Sequence, residues 1–432
     1  MSSVSRRALR GVVFLVIASS IVSVGTYYFR NALDARADSS METRDLSDAR
    51  SLVERGRYLA LAGNCASCHT APGGEAMAGG LAFDTPFGRV YSTNITSSEA
   101  SGIGRWSEAQ FRDALRKGIR PDGTHLYPVF PYTAYSKITD RDADALFAYL
   151  KTIAPVEQPV TQNELSFPFN QRWLLGPWKA FFFDEGRYAA NPRETEEWNR
   201  GAYLVEAFAH CSACHTPRNF LGAERDDLRM TGGTYSDRVA SGEIKAWSAP
   251  NLTSSPTGLA NWSVEDLYAY LKSGKNEHLA TSGPMNEVIM NSTRHLSEPD
   301  VRAMAVYLRS LPALEGEMNA PADEQTKATG ASLYDIHCGT CHLPTGLGGA
   351  DTGPRLAGFS PVVQAVDPAS MINIILYGAE LPEPRLPSDW RHMEPFEDKL
   401  TDEEVALIAS YVRSAWGNRA GKVASEQVAK QR

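Results

Sequence analysis

Cys65-Ala66-Ser67-Cys68-His69, Cys211-Ser212-Ala213-Cys214-His215 and Cys338-Gly339-Thr340-Cys341-His342 are three copies of one pattern, and they use all 6 cysteines of this 432-residue chain. C-x-x-C-H is the attachment pattern of c-type haem. On a helical turn, positions i, i+3 and i+4 share a face. Two thiols there can bond the two vinyl groups of a haem while the next imidazole ligates its iron. The pattern predicts three covalently bound haem c groups on Cys65, Cys68, Cys211, Cys214, Cys338 and Cys341, with His69, His215 and His342 as iron ligands. Zinc ribbons set their C-x-x-C knuckles roughly 15–20 residues apart, far closer than these motifs. A redox C-x-x-C would not need histidine next in every copy, and a disulfide framework would leave cysteines outside the motifs.

Composition is that of an ordinary globular chain, 43% hydrophobic and 22% charged. A net charge of −8 argues against a nucleic-acid partner, because phosphates demand a basic face. No G-x-G-x-x-G or P-loop supports nucleotide chemistry. Near the N-terminus, Gly11–Phe29 is a nearly uninterrupted apolar run behind Arg6, Arg7 and Arg10. It makes about 28 Å of helix, against about 30 Å of bilayer hydrocarbon. The apolar region of a signal peptide is shorter, roughly 7–15 residues, and the nearest small-x-small site, Ala35-Arg36-Ala37, lies beyond Arg30 and Asp34. A retained transmembrane anchor is expected, with a cleaved signal segment as the alternative. By the positive-inside rule the N-terminus is cytoplasmic, and the rest lies on the periplasmic side of a bacterial inner membrane.

A unit recurs around each motif. Arg55-Gly56-Arg57-Tyr58-Leu59, Arg200-Gly201-Ala202-Tyr203-Leu204 and Gly330-Ala331-Ser332-Leu333-Tyr334 lead in as short helices. Downstream, Asn94-Ile95-Thr96 matches Asn251-Leu252-Thr253, and Pro354-Arg355-Leu356 is a looser third version. Both Asn-x-Thr triplets match a glycosylation sequon, but as repeat elements they read as structural. A helix follows in each unit, at Phe111–Gly118, Leu267–Gly274 and Ala369–Gly378, and each unit closes on another, at Asp144–Lys151, Asp300–Leu311 and Asp402–Trp416. Strand signals are sparse. Haem motif, mixed loops and closing amphipathic helix resemble class I cytochrome c three times over. The expected fold is therefore mainly α, with three tandem class I cytochrome c domains behind an N-terminal transmembrane anchor. Its divisions are 1–47 (anchor or signal), 48–156 (first domain), 157–195 (aromatic, proline-rich linker), 196–313 (second domain), 314–327 (linker), 328–417 (third domain) and 418–432 (polar tail). The linker at 157–195, with Trp173, Trp178 and Phe181-Phe182-Phe183, reads as a strap across the first two domains or as a docking surface.

A six-coordinate cytochrome c iron usually takes methionine as its second axial ligand. Met393 fits in the third domain, its competitor Met371 reading as core. Met285 fits in the second, ahead of Met290 and Met304. The first domain departs from this. Its equivalent loop, Leu126-Tyr127-Pro128-Val129-Phe130-Pro131-Tyr132, has no methionine, and Met77 lies too close behind His69. His125 and an open iron are the two alternatives there.

Over about residues 48–417 the chain resembles the triheme cytochrome c subunits of membrane-bound bacterial dehydrogenases, the quinohaemoprotein alcohol and flavin-dependent gluconate types. Phe87-Gly88 through Asn94-Ile95-Thr96, Leu126-Tyr127-Pro128 and the Tyr411-Val412-Arg413 to Trp416-Gly417-Asn418 ending carry the likeness beside the motifs. Phe130-Pro131-Tyr132 and Phe167-Pro168-Phe169-Asn170 look more like the molybdenum-hydroxylase branch, the nicotinate type. The resemblance implies an electron-transfer subunit with no organic substrate site of its own. It would take electrons from a catalytic subunit holding molybdenum, PQQ or flavin and pass them to ubiquinone or a terminal oxidase. In the alcohol branch the first methionine would fall at Phe130. Two other functions compete: a peroxidase-like haem enzyme using an open first haem, and a free-standing electron shuttle.

Overall fold

The computed structural model describes residues 49–239, 243–349, 352–379 and 393–432. One helix crossing recurs three times. The Ala49–Ala62 helix packs on Asp140–Leu150, Glu196–Tyr203 on Glu298–Ser310, and Glu324–His337 on Asp402–Ser414. Glycine permits each contact. A Cβ on Gly56 would lie 1.8 Å from the Ala145 carbonyl oxygen, on Gly201 1.9 Å from that of Ala303, and on Gly330 2.3 Å from that of Leu407. The tyrosine one turn on, Tyr149, Tyr307 or Tyr411, covers the same glycine. The backbones thus touch where any side chain would hold them apart.

The first two units are joined reciprocally. Arg55 Nε donates to Asp142 Oδ1 at 2.5 Å within the first unit, and Tyr203 of the second donates to Asp142 Oδ2 at 2.6 Å. Conversely, Arg200 grips Asp300 through two bonds of 2.8 Å, and Tyr58 of the first unit donates to Asp300 Oδ2 at 2.5 Å. Each Arg-Gly-x-Tyr lead-in therefore pairs with its own closing helix through arginine and with its neighbour's through tyrosine. A continuous apolar core runs through both units, from Leu59 to Leu308. The third repeat has Ser332 where the tyrosine would stand, and it builds its own core around Tyr334, Ile372, Val405 and Val412. It docks on the second unit by other means. Ser370 exchanges hydrogen bonds with Ser248, and Phe359 stacks on Trp262 with centroids 5.0 Å apart.

Strands are few among the described residues. β1 (Ala82–Thr85), β2 (Gly88–Tyr91) and β3 (Glu164–Leu165) form an antiparallel sheet, and β4 (Gly233–Arg238) pairs with β5 (Ile244–Ala249). β3 belongs to the linker, which is a packed strap. Its Leu175–Phe182 helix sends Lys179 to the Lys117 and Gly118 carbonyls at the end of the Glu108–Lys117 helix. Trp178 Nε1 donates to the Leu221 carbonyl at 3.0 Å, reaching the second unit. Phe167, Trp173 and Phe181 still face outward, 80%, 67% and 82% exposed.

Three expectations need correction. Gly11–Phe29 lies outside the described residues, and among the described residues no helix is long and apolar enough to cross a membrane, so the expected anchor has no counterpart in the architecture described. The first closing helix starts at Asp140, not Asp144, because the Thr139 side chain caps it by accepting from the Asp142 amide. Residues 418–432, read as a polar tail, carry the Ser425–Gln431 helix, with Val423 and Val428 buried and Arg432 Nε bonded to Asp402 Oδ1 at 2.7 Å.

Alanine normally stabilises a helix interior over glycine by roughly 1 kcal/mol. At Gly56, Gly201 and Gly330 the sign should reverse, each Ala variant losing about 1–3 kcal/mol to overpacking in thermal unfolding. Gly186→Ala, with open space around the site, serves as the near-neutral control. Tyr58→Phe should cost about 1–3 kcal/mol, because it leaves a half-buried carboxylate oxygen short of a donor.

Candidate haem-binding centre

Each motif folds as a single helical turn: Cys65–His69, Ser212–His215 and Gly339–His342. In the first two copies the residue before the first cysteine is left-handed, Asn64 at φ 49° and His210 at φ 38°. The chain breaks there from the lead-in helix and restarts in a new direction. In the second copy the approach is also a π-helical stretch, Leu204–Phe208.

The three histidines share one constraint. His69 Nδ1 lies 2.6 Å from the Thr93 carbonyl oxygen, His215 Nδ1 2.7 Å from that of Pro250, and His342 Nδ1 2.9 Å from that of Pro354. A carbonyl only accepts, so Nδ1 carries the proton and Nε2 keeps its lone pair for a metal. Burial lowers the pKa of all three rings, that of His215 to about 4, so they are neutral and able to ligate. The carbonyls come from the recurring loop. Asn94 Oδ1 accepts from the Thr96 amide at 2.8 Å and Asn251 Oδ1 from the Thr253 amide at 2.7 Å. Both asparagines are buried, 8% and 2% exposed. They brace the loop from within, in keeping with the structural reading of the triplets.

The six cysteines, Cys65, Cys68, Cys211, Cys214, Cys338 and Cys341, line one continuous cavity of about 2380 Å³ together with His69, His215 and His342. An ordinary ligand pocket measures ~300–1,000 Å³, so this one has room for several large groups. Beside it the first two units touch, where Asn291 Nδ2 donates to Ser67 Oγ at 2.8 Å and the His210 ring meets Tyr135 edge-on at 5.6 Å. Trp247, 4% exposed, lines the cavity with an indole N–H that has no partner among the described residues. That donor suits a carboxylate carried by a bound group. Thiol pairs, neutral imidazoles, a largely apolar wall and an unused N–H together fit haem.

Met285 opens the Met285–Asn291 helix and lines the cavity, as does Met393. Met304 and Met371 reach its wall from helices in which they are core residues, 1% and 7% exposed. Met290 is instead held by Arg294, whose Nη1 is 3.1 Å from its sulfur. Met77 is buried at φ 61° and is not among the lining residues. His125 also stands off the cavity wall, its Nδ1 3.1 Å from Lys179 Nζ. Lys179 is itself partly desolvated, which lowers its pKa to about 8. The geometry takes His125 out of the ligand set. No sequence signal marked this contact, since the strap brings Lys179 in from 54 residues away. The histidine-orienting carbonyls were equally invisible as such, although the Asn-x-Thr repeat marked their place.

Residues 53–154 match the cytochrome c family, and residues 325–412 match the family described as cytochrome C oxidase, cbb3-type, subunit III. Two segments match, not three, which corrects the expectation of three tandem class I domains. The middle segment differs from the first in its π-helical approach to the motif, while both set an antiparallel hairpin between motif and loop. The chain is 39% identical over 421 residues to the fructose dehydrogenase cytochrome subunit of Gluconobacter japonicus, covering 90% of this chain and 84% of that one. It is 39% identical over 411 residues to the alcohol dehydrogenase (quinone) cytochrome c subunit of Gluconacetobacter polyoxogenes, covering 90% and 86%. With a nicotinate dehydrogenase subunit of Pseudomonas putida it shares 42% over 392 residues, 86% of this chain but only 32% of that much longer protein. The chain belongs to the family of dehydrogenase cytochrome c subunits, whose cytochrome c domains bind haem c covalently.

Proposed function

We propose that this chain is the electron-transfer subunit of a dehydrogenase, relaying electrons through three covalent haems from a catalytic subunit to ubiquinone or a terminal oxidase on the periplasmic side of the bacterial inner membrane. The observation that carries the reading is the threefold recurrence of a cysteine pair and a carbonyl-fixed histidine on one continuous cavity. Haem c, when bound, supplies a one-electron iron couple whose potential the axial ligand tunes. The chain's own residues do the rest. Cys65 and Cys68, Cys211 and Cys214, and Cys338 and Cys341 anchor the groups. His69, His215 and His342 present a fixed Nε2, and Met285 and Met393 supply thioethers to the second and third sites.

Packed, interlocked units suit a relay, because electrons cross them without moving parts. The first two units share a core, and the third is bonded to the second through Ser248, Ser370 and Trp262. The catalytic partner is the part this chain leaves open. Its relatives bear the names of fructose, alcohol and nicotinate dehydrogenases, so one relay design serves different chemistry. The molybdenum-hydroxylase branch is favoured by Phe130-Pro131-Tyr132 and Phe167-Pro168-Phe169-Asn170, with PQQ and flavin partners as the alternatives.

Mass spectrometry of the mature protein should find three covalent haems, and a Cys→Ser change within any one motif should remove one of them. Two haems with the Cys211–Cys214 motif unmodified would refute the threefold reading. Co-purification of a large catalytic subunit would support the assignment, and a chain isolated alone from native membranes with full activity toward an organic substrate would contradict it.

Thioether ligation raises a haem's potential. Met285→Ala and Met393→Ala should therefore each shift one redox transition to lower potential and erase one methionine–iron absorption signal. Met77→Ala should change neither. Spectroelectrochemical titration of the three variants distinguishes these outcomes.

A further inference from the structure

We infer that Phe130 leaves the outer coordination position of the first haem site without a protein donor, and that this site binds a small neutral diatomic molecule such as carbon monoxide. The inference rests on the haem reading above.

Hydrogen bonding aligns the first and second units here, the turn being one residue longer in the first. The Glu108–Lys117 helix ends at Gly118 (φ 59°) and Val264–Ser273 ends at Gly274 (φ 76°). The chain then doubles back. The Leu126 amide donates to the Gly118 carbonyl at 2.7 Å, and the Thr281 amide to the Gly274 carbonyl at 2.7 Å. A bridge pairs Ile119 with His125 in one unit and Lys275 with Ala280 in the other. From the returning residues, Leu126 and Thr281, the same count leads to Phe130 and to Met285. Where the second unit offers a thioether, the first offers a phenyl ring.

Nothing nearby replaces it. Among the described residues that line the cavity between 49 and 195, His69 is the one imidazole, and there is no methionine or lysine. Asp84 is held by Arg89 Nε at 2.8 Å, and the Tyr127 hydroxyl donates to the Phe169 carbonyl at 3.0 Å. The Tyr135 hydroxyl, behind the Phe130 ring at a centroid distance of 5.3 Å, points to the Gly63 carbonyl at 3.3 Å. His210 reaches the cavity from the second unit, where it bonds the Gly63 backbone beside the motif. The wall that remains is apolar, built of Ile103, Phe111, Leu115, Phe130, Leu146 and Leu150. These six side chains carry no proton donor or acceptor. Peroxide cleavage needs positioned acid–base groups, whereas a neutral diatomic ligand needs only an open iron and an apolar enclosure.

The test is carbon monoxide titration of the dithionite-reduced holoprotein, with covalent haem counted by mass in the same sample. One haem in three should bind the gas and shift its absorption. Phe130→Met should abolish the shift by supplying a thioether, and Phe130→Leu should preserve it. A three-haem sample that takes up no gas overturns the inference, and so does uptake that persists in Phe130→Met. Uptake that appears only after His210→Gln would name His210 as the ligand and overturn it equally. A mass showing fewer than three haems would sink the underlying reading before any gas is added, so the two failures are separable.

Discussion

An imidazole can serve a metal only if one nitrogen is free and the ring is held still. Here each of three rings gives its Nδ1 proton to a main-chain carbonyl on the loop that follows. The bond sets tautomer and orientation together. It closes over very different stretches of chain, 24, 35 and 12 residues. The contact is therefore the constant, and the intervening loops vary around it. In the first two units a buried asparagine stiffens the carbonyl's loop from inside. In the third, the Arg355 amide donates to the His278 carbonyl of the second unit at 3.1 Å, so that ring depends on its neighbour for its setting.

The joint between the first two units follows from sequence repetition itself. Each lead-in helix carries arginine, glycine and tyrosine at fixed spacing, so a pseudo-twofold arrangement can satisfy both copies with the same bonds. Asp142, 1% exposed, would be costly as an isolated charge. Partnered by Arg55 and Tyr203, it becomes a register mark that a slipped interface could not satisfy. Removing one partner of such a group is damaging because the other is left unpaired in low dielectric. The third unit lacks the arginine and the tyrosine and is accordingly attached through strand, serine and aromatic contacts.

The strap shows how a linker acquires structure. Its helix donates a lysine to the open carbonyls at the end of another helix, a favourable placement for a cation near a helix C-terminus. Lys179 also lies over the Tyr132 ring at 4.6 Å. These contacts fix the backbone of the segment while Phe169, Phe181 and Phe182 stay in solvent and rim the cavity.

The three motifs and the lead-in glycines were legible in the sequence because each is a local pattern whose physics acts within a few residues. The exclusion of Met77 could be read from its closeness to His69. What the sequence could not supply were partners brought together by folding. His125 looked like a nitrogen ligand until the strap placed Lys179 against it. Residues 418–432 looked like a polar tail, yet Val423 and Val428 found a groove on the closing helix. The reciprocal Tyr58–Asp300 and Tyr203–Asp142 bonds span 242 and 61 residues. The sequence by itself determined which atoms could bind haem, since covalent attachment needs only the pentapeptide. Tertiary structure alone decided how those atoms are oriented, because each orienting carbonyl, and the merging of the sites into one cavity, depends on where distant segments come to rest.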